Sequence, residues 1–214
     1  MTLKIKSGQT VLFIGDSITD CGRRAAERPL GNGYAKLFHD LLTVREPEKK
    51  VNIINKGIGG DTVIGLQRRW TDDVLFHKPD WLSIKIGIND LHMTLRQNAD
   101  PIPPELFREA YNDILSRTKS ALPKCEILLI EPFYISLEKN AHSFRKSVLD
   151  LLPEYIAVIR EMNRKYKTRL LKTHEMFQKL LKYHDADTFC PEPVHPYLSG
   201  HLAIAEAVYS ALSK

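Results

Sequence analysis

The sequence predicts a three-layer α/β/α domain around a mostly parallel, five-stranded sheet. Two patterns predict it. Short apolar runs bounded by Gly, Pro or charge alternate with longer segments carrying apolar residues at three- and four-residue spacing. That alternation is the signature of strands joined by covering helices. Composition agrees, since 214 residues with 43% hydrophobic and 27% charged side chains resemble an ordinary globular domain, not a disordered chain.

Val11 to Ile14, Val51 to Ile54, Trp81 to Ile84 with Ile86, and Ile127 to Ile130 read as buried strands, and Arg169 to Thr173 as a weaker fifth. Tyr34 to Leu42, Val63 to Phe76, Glu105 to Leu122 and Ser147 to Tyr166 read as the covering helices. Two more are expected near Met176 to Tyr183 and from about Leu198 to Leu212. Pro153 should kink or split the helix that contains it. Pro101 to Pro104 read as a loop and helix start. No linker, repeat or low-complexity stretch intervenes, so residues 1–214 are expected to form one domain.

Several function classes drop out. The net charge of +5 is thinly spread, and the pairs Lys49-Lys50, Arg68-Arg69 and Arg164-Lys165 read as solvated surface, so no nucleic-acid partner is expected. Cys21, Cys125 and Cys190 are odd in number and lack CxxC spacing, which suggests neither disulfides nor zinc. No signal peptide or membrane-spanning apolar stretch is visible, so a soluble cytoplasmic protein is expected. Gly57-x-Gly59-Gly60 lacks the third glycine of a dinucleotide fingerprint, and neither a P-loop nor an H-E-x-x-H zinc motif is present. Nucleotide binding becomes a minor reading, and no required metal is expected.

In an open parallel sheet, ligands bind beyond the carboxyl ends of the strands. Here the first strand runs into Gly15-Asp16-Ser17, the second into Asn55 to Thr62, and the third into Gly87-Ile88-Asn89-Asp90. A hydroxyl, a glycine-rich turn and a carboxamide thus reach one rim. Together they suit nucleophilic attack on an acyl carbon: Ser17 as nucleophile, with an oxyanion hole from the Ser17 and Gly60 backbone N–H groups and the Asn89 amide. A base must come from elsewhere. Among eight histidines, His195 stands out because Pro191, Pro193 and Pro196 restrict its loop and Glu192 lies three residues before it. Taken singly, each piece has another use as a turn, helix cap or surface residue; their coincidence points to chemistry.

The quoted residues resemble the SGNH hydrolases, the GDSL-like lipase and esterase family. VLFIGDSIT (Val11 to Thr19), NKGIGGDT (Asn55 to Thr62), GIND (Gly87 to Asp90) and Val194-His195-Pro196 are similar to its blocks, in order, across nearly the whole chain. The resemblance implies a flavodoxin-like sheet, no cofactor, Ser17 as nucleophile, Ser17, Gly60 and Asn89 as oxyanion donors, and His195 as base. IGDSITDCGR, KPDWLSIKIGIND, EPFYI and VHPYLSGH look most similar to the bacterial branch that includes acetylxylan esterases. That implies removal of small acyl groups, acetyl in particular, from carbohydrate; members of the branch can be homo-oligomers.

One departure matters. The family usually places Asp where this chain has Glu192; glutamate can take the same role, with Asp185 or Asp187 as alternatives. Two other functions stay open: a lipase, lysophospholipase or thioesterase for longer acyl chains, and a carbohydrate-binding relative with little turnover. Trp70, Trp81, Phe133 and Tyr134 can line a sugar site, but core packing is the expectation.

Overall fold

The structure is a computed structural model that describes residues 2–97 and 99–213; Met1, Asn98 and Lys214 lie outside it. Its five strands, β1 (Thr10–Gly15), β2 (Asn52–Gly57), β3 (Trp81–Lys85), β4 (Glu126–Ile130) and β5 (Arg169–Leu171), form one sheet in the order β2-β1-β3-β4-β5. Every pairing is parallel. This is the flavodoxin-like order, whose switch point lies between β1 and β3.

Central strands of such a sheet are covered on both faces, which is why β1 is mostly apolar and β3 is buried throughout, Ser83 and Lys85 included. The helices α2 (Tyr34–Arg45) and α8 (Leu198–Ser213) pack together, while α3 (Val63–Trp70), α5 (Pro104–Ala121) and α6 (Phe144–Tyr166) pack side by side. Phe13, Phe38, Trp70, Phe107, Tyr155 and Phe177 are fully buried between the layers, each contributing on the order of 1.5–3 kcal/mol. Trp81, Phe133 and Tyr134 are buried as well, so the four aromatics considered for a sugar site pack in the core as expected.

Three elements differ from the sequence reading. Helix α6 is a single helix through Pro153, so the expected split does not occur. Proline removes the bond to the Leu149 carbonyl, but Pro153 is exposed and that loss faces solvent, while Val148, Leu152, Tyr155, Ile156 and Ile159 anchor the buried side. The segment Val63 to Phe76 is α3 followed by a π-helical turn at Thr71–Leu75. β5 stops at Leu171 because Thr173 begins α7 (Thr173–Leu180). Two short helices, α1 (Ser17–Asp20) and α4 (Ile88–Leu95), come directly after β1 and β3. Among the described residues, no helix is long and apolar enough to cross a membrane.

The register fixes the site. Gly15 at the end of β1 lies opposite Gly57 of β2 and Lys85 of β3, so three strands finish at one level. The segments leaving those three strand ends therefore meet on one rim.

Candidate active site

Ser17 opens α1 immediately after β1, where Asp16 is the N-cap: its Oδ1 accepts from the Ile18 N–H at 3.0 Å. Asp16 is itself buried against Lys85, whose Nζ lies 3.2 Å from Oδ2 and 5.0 Å from the Phe133 ring centroid. Burial pulls the Lys85 ammonium below its usual range, opposed by Asp16. The sequence reading missed this pair, although a lysine inside the apolar run of β3 was its visible sign.

The second block is tied to the first by side chains that bond backbone. Asn55 Nδ2 donates to the Thr19 and Leu30 carbonyls at 2.6 and 2.7 Å, and its Oδ1 accepts from Gly57 N–H at 2.9 Å. Gly57 must be glycine, because a Cβ there would lie 2.3 Å from the Asp20 amide nitrogen. Asp20 Oδ2 accepts from Gly59 N–H at 2.9 Å. Gly60 has φ +78 and open space where a Cβ would project, so a ligand can approach its backbone.

Arg69 corrects the reading of Arg68-Arg69 as solvated surface. Its guanidinium donates to the Lys56 and Gly15 carbonyls and to the carboxylates of Asp61 and Asp73 at 2.7 to 3.3 Å, joining the ends of β1 and β2 to the loop between β2 and α3. Buried polar groups need such partners, and a guanidinium can supply several at once.

Asn89, in the first turn of α4, donates through Nδ2 to the Asp61 carbonyl at 2.8 Å. One amide hydrogen is thereby used and the other is left for a ligand. The Ser17 and Gly60 N–H groups have no acceptor among the described residues. Each of the three predicted oxyanion donors therefore keeps one N–H without an acceptor among the described residues.

His195 comes from the loop before α8. Its Nε2 lies 2.8 Å from Ser17 Oγ, and its Nδ1 bonds Glu192 Oε1. The Glu192 carboxylate also accepts from the Val194 and His195 N–H groups at 2.9 and 2.8 Å. Burial resists ionisation of Glu192, but those amides and the imidazole outweigh it and hold the carboxyl below its usual range. Pro193 is held in turn, its carbonyl accepting from Ile135 N–H at 2.9 Å. Asp185 and Asp187 are exposed, line a second cavity together with Glu192, and make no bond to His195.

A cavity of about 550 Å³ opens beside this pair, lined by Ser17, Ile18, Cys21, Asn32, His195, Pro196, Leu198 and His201. Cys21 Sγ lies 3.4 Å from His201 Nε2. Burial pushes the thiol up to about 12, helped by Asp16 and Asp20, and pulls the His201 imidazole down to about 4, helped by Lys85 and His195. Both are neutral at neutral pH. His201 was indistinguishable in sequence from the other scattered histidines.

Similarity to known proteins extends over nearly the whole chain. The family model described as "GDSL-like Lipase/Acylhydrolase family" matches residues 13–203. The chain belongs to the GDSL-like lipase/acylhydrolase family. Within the GDSL-like family, it is 37% identical over 216 residues to an acetylxylan esterase of Geobacillus stearothermophilus, covering 96% of this chain and 94% of that protein. The crystal structure of Axe2, an acetylxylan esterase from Geobacillus stearothermophilus, matches with a TM-score of 0.88 at 32% identity, covering 99% of this chain and 97% of that one. Axe2 has also been solved as catalytic mutants at a serine, an aspartate and a histidine, the aspartate three residues before the histidine. LAE5, an alpha/beta hydrolase enzyme from the metagenome of Lake Arreo, Spain, matches at 26% identity and a TM-score of 0.87, covering 99% and 98% of the two chains.

Proposed function

We propose that this protein is a serine esterase that removes acetyl groups from carbohydrate through an acyl-enzyme. One observation carries the chemistry: an unbroken hydrogen-bond chain from Ser17 Oγ through both ring nitrogens of His195 to Glu192. His195 Nε2 takes the hydroxyl proton as Ser17 attacks the ester carbonyl. The Ser17 and Gly60 N–H groups and the Asn89 amide stabilise the oxyanion, in general the largest single term in such catalysis. His195 then protonates the departing alcohol, activates water, and returns its proton to Ser17 as the acetyl group leaves. Glu192 fixes the tautomer and stabilises the imidazolium.

The acetyl and carbohydrate assignment is supported by likeness to an acetylxylan esterase over nearly the full length of both chains. Glu192 stands three residues before His195, the spacing of the aspartate and histidine mutated in Axe2. The free thiols of Cys21, Cys125 and Cys190 suit a reducing compartment, which supports a cytoplasmic enzyme that meets soluble acetylated saccharides.

The test is hydrolysis of p-nitrophenyl acetate in the presence of EDTA, comparing wild type with Ser17→Ala. Activity confined to wild type is expected. Equal turnover by both proteins would refute the reading.

A further inference from the structure

Resting on that reading, we infer that the cavity of about 550 Å³ beside Ser17 and His195 receives the leaving alcohol, that this alcohol is an uncharged saccharide, and that Asn32 and Leu198 select it.

Geometry assigns the side. A tetrahedral carbon on Ser17 Oγ carries three other substituents. Its oxyanion points to the Ser17 and Gly60 N–H groups and Asn89. Its leaving oxygen must come within reach of His195 Nε2, which gives it a proton as the carbon–oxygen bond breaks. The acyl group takes the direction that remains. The cavity is walled by His195 and Ser17 and includes neither Gly60 nor Asn89, so it lies on the leaving-group side. Its volume falls in the range of small-molecule sites, about 300–1,000 Å³, far more than an acetyl methyl needs.

The wall chemistry specifies the occupant. No Lys, Arg, Asp or Glu lines the cavity, and Cys21 and His201 are neutral, so a phosphorylated or carboxylated alcohol finds no counter-charge. Ile18, Pro196 and Leu198 give an apolar face for the C–H side of a sugar ring. Asn32 is exposed, and its carboxamide bonds to no other described residue, leaving a donor and an acceptor for ring hydroxyls. Leu198, 63% exposed at the first position of α8, stands clear of the core.

Two ester series separate alcohol from acyl recognition. One varies the alcohol, comparing an acetylated methyl xyloside with methyl acetate; the other varies the acyl chain, comparing methyl acetate with methyl butyrate. Leu198→Trp should lower kcat/KM for the xyloside relative to methyl acetate by about tenfold or more. Asn32→Ala should lower it by about three- to tenfold, as for one neutral hydrogen bond. Neither should move the acetate-to-butyrate ratio. A changed acyl ratio with an unchanged alcohol ratio would make the cavity an acyl pocket and overturn the inference, as would no change in either. A wild type that hydrolyses none of these esters instead overturns the esterase reading beneath it.

Discussion

Glu192 holds His195 by ring and backbone at once: Oε1 bonds Nδ1 of the imidazole and also accepts from the His195 N–H at 2.8 Å. The carboxylate therefore sets both the loop and the tautomer. Glu192→Gln should keep the loop bonds but present the wrong partner to the ring, lowering kcat by about 10³–10⁴-fold. Glu192→Asp withdraws the charge by one methylene, and the prolines at 191, 193 and 196 keep the loop from closing the gap. A loss of about 10²-fold is expected, as for a misplacement near 1 Å. Steady-state kinetics on an acetate ester decide it; an unimpaired Gln variant would remove Glu192 from the mechanism.

Next to Ser17, Asp16 and Lys85 form an ion pair at 0% and 1% exposure. Breaking such a pair from one side strands a buried charge. Lys85→Met should destabilise the fold by about 3–5 kcal/mol, or roughly 10 °C in Tm for a chain of this size. Asp16→Asn combined with Lys85→Met removes both charges and keeps an oxygen for Ile18 N–H, so most of the loss should return. Thermal melts of wild type, Lys85→Met, Asp16→Asn and the double variant test this. Additive losses in the double variant would show that the two residues act independently.

These two pairs show what sequence could and could not reveal. Ser17, Gly60, Asn89 and His195 were legible as candidates because each comes just after a strand or lies in a proline-bounded loop. Lys85 and Arg69 were not, since their roles depend on which strand ends lie opposite each other. The parallel register that puts Lys85 beside Gly15 is a tertiary fact. Likewise α4 escaped notice because only Gly87-Ile88-Asn89-Asp90 was weighed, as rim and cap, and its helical turns were not. Glu192 was legible as a candidate, but its choice over Asp185 and Asp187 needed the loop's fold.

Asn89 has two tasks that different measurements separate. Its amide bonds the Asp61 carbonyl at 2.8 Å, and in the proposed mechanism its remaining hydrogen serves the oxyanion. Losing the first costs about 1 kcal/mol of stability. Losing the second should cost about 10²–10³-fold in kcat. Asn89→Ala is thus expected to melt only slightly below wild type while turnover collapses and KM changes little. Parallel falls in Tm and activity would instead make Asn89 a purely structural residue.

Asp90, next in sequence, should make stability depend on pH. Its carboxyl is buried with Oδ1 accepting from Val63 N–H at 2.9 Å, while Oδ2 has no partner among the described residues. Burial raises it to about 7, with Asp16 and Asp61 adding to the shift and the amide bond opposing it. In the unfolded chain an aspartate titrates near about 3.9. Between about pH 4 and pH 7 the folded state therefore holds a proton that the unfolded state has lost. Stability must fall as pH rises through that window, and the contribution levels off above it. Asp90→Asn keeps an acceptor for Val63 N–H and removes the titration, so the variant should gain on wild type as pH rises from about 5 to about 8. Urea unfolding of both proteins at the two pH values tests this, because other groups cancel in the difference. A gap that stays constant with pH would mean that Asp90 titrates alike in the folded and unfolded chains.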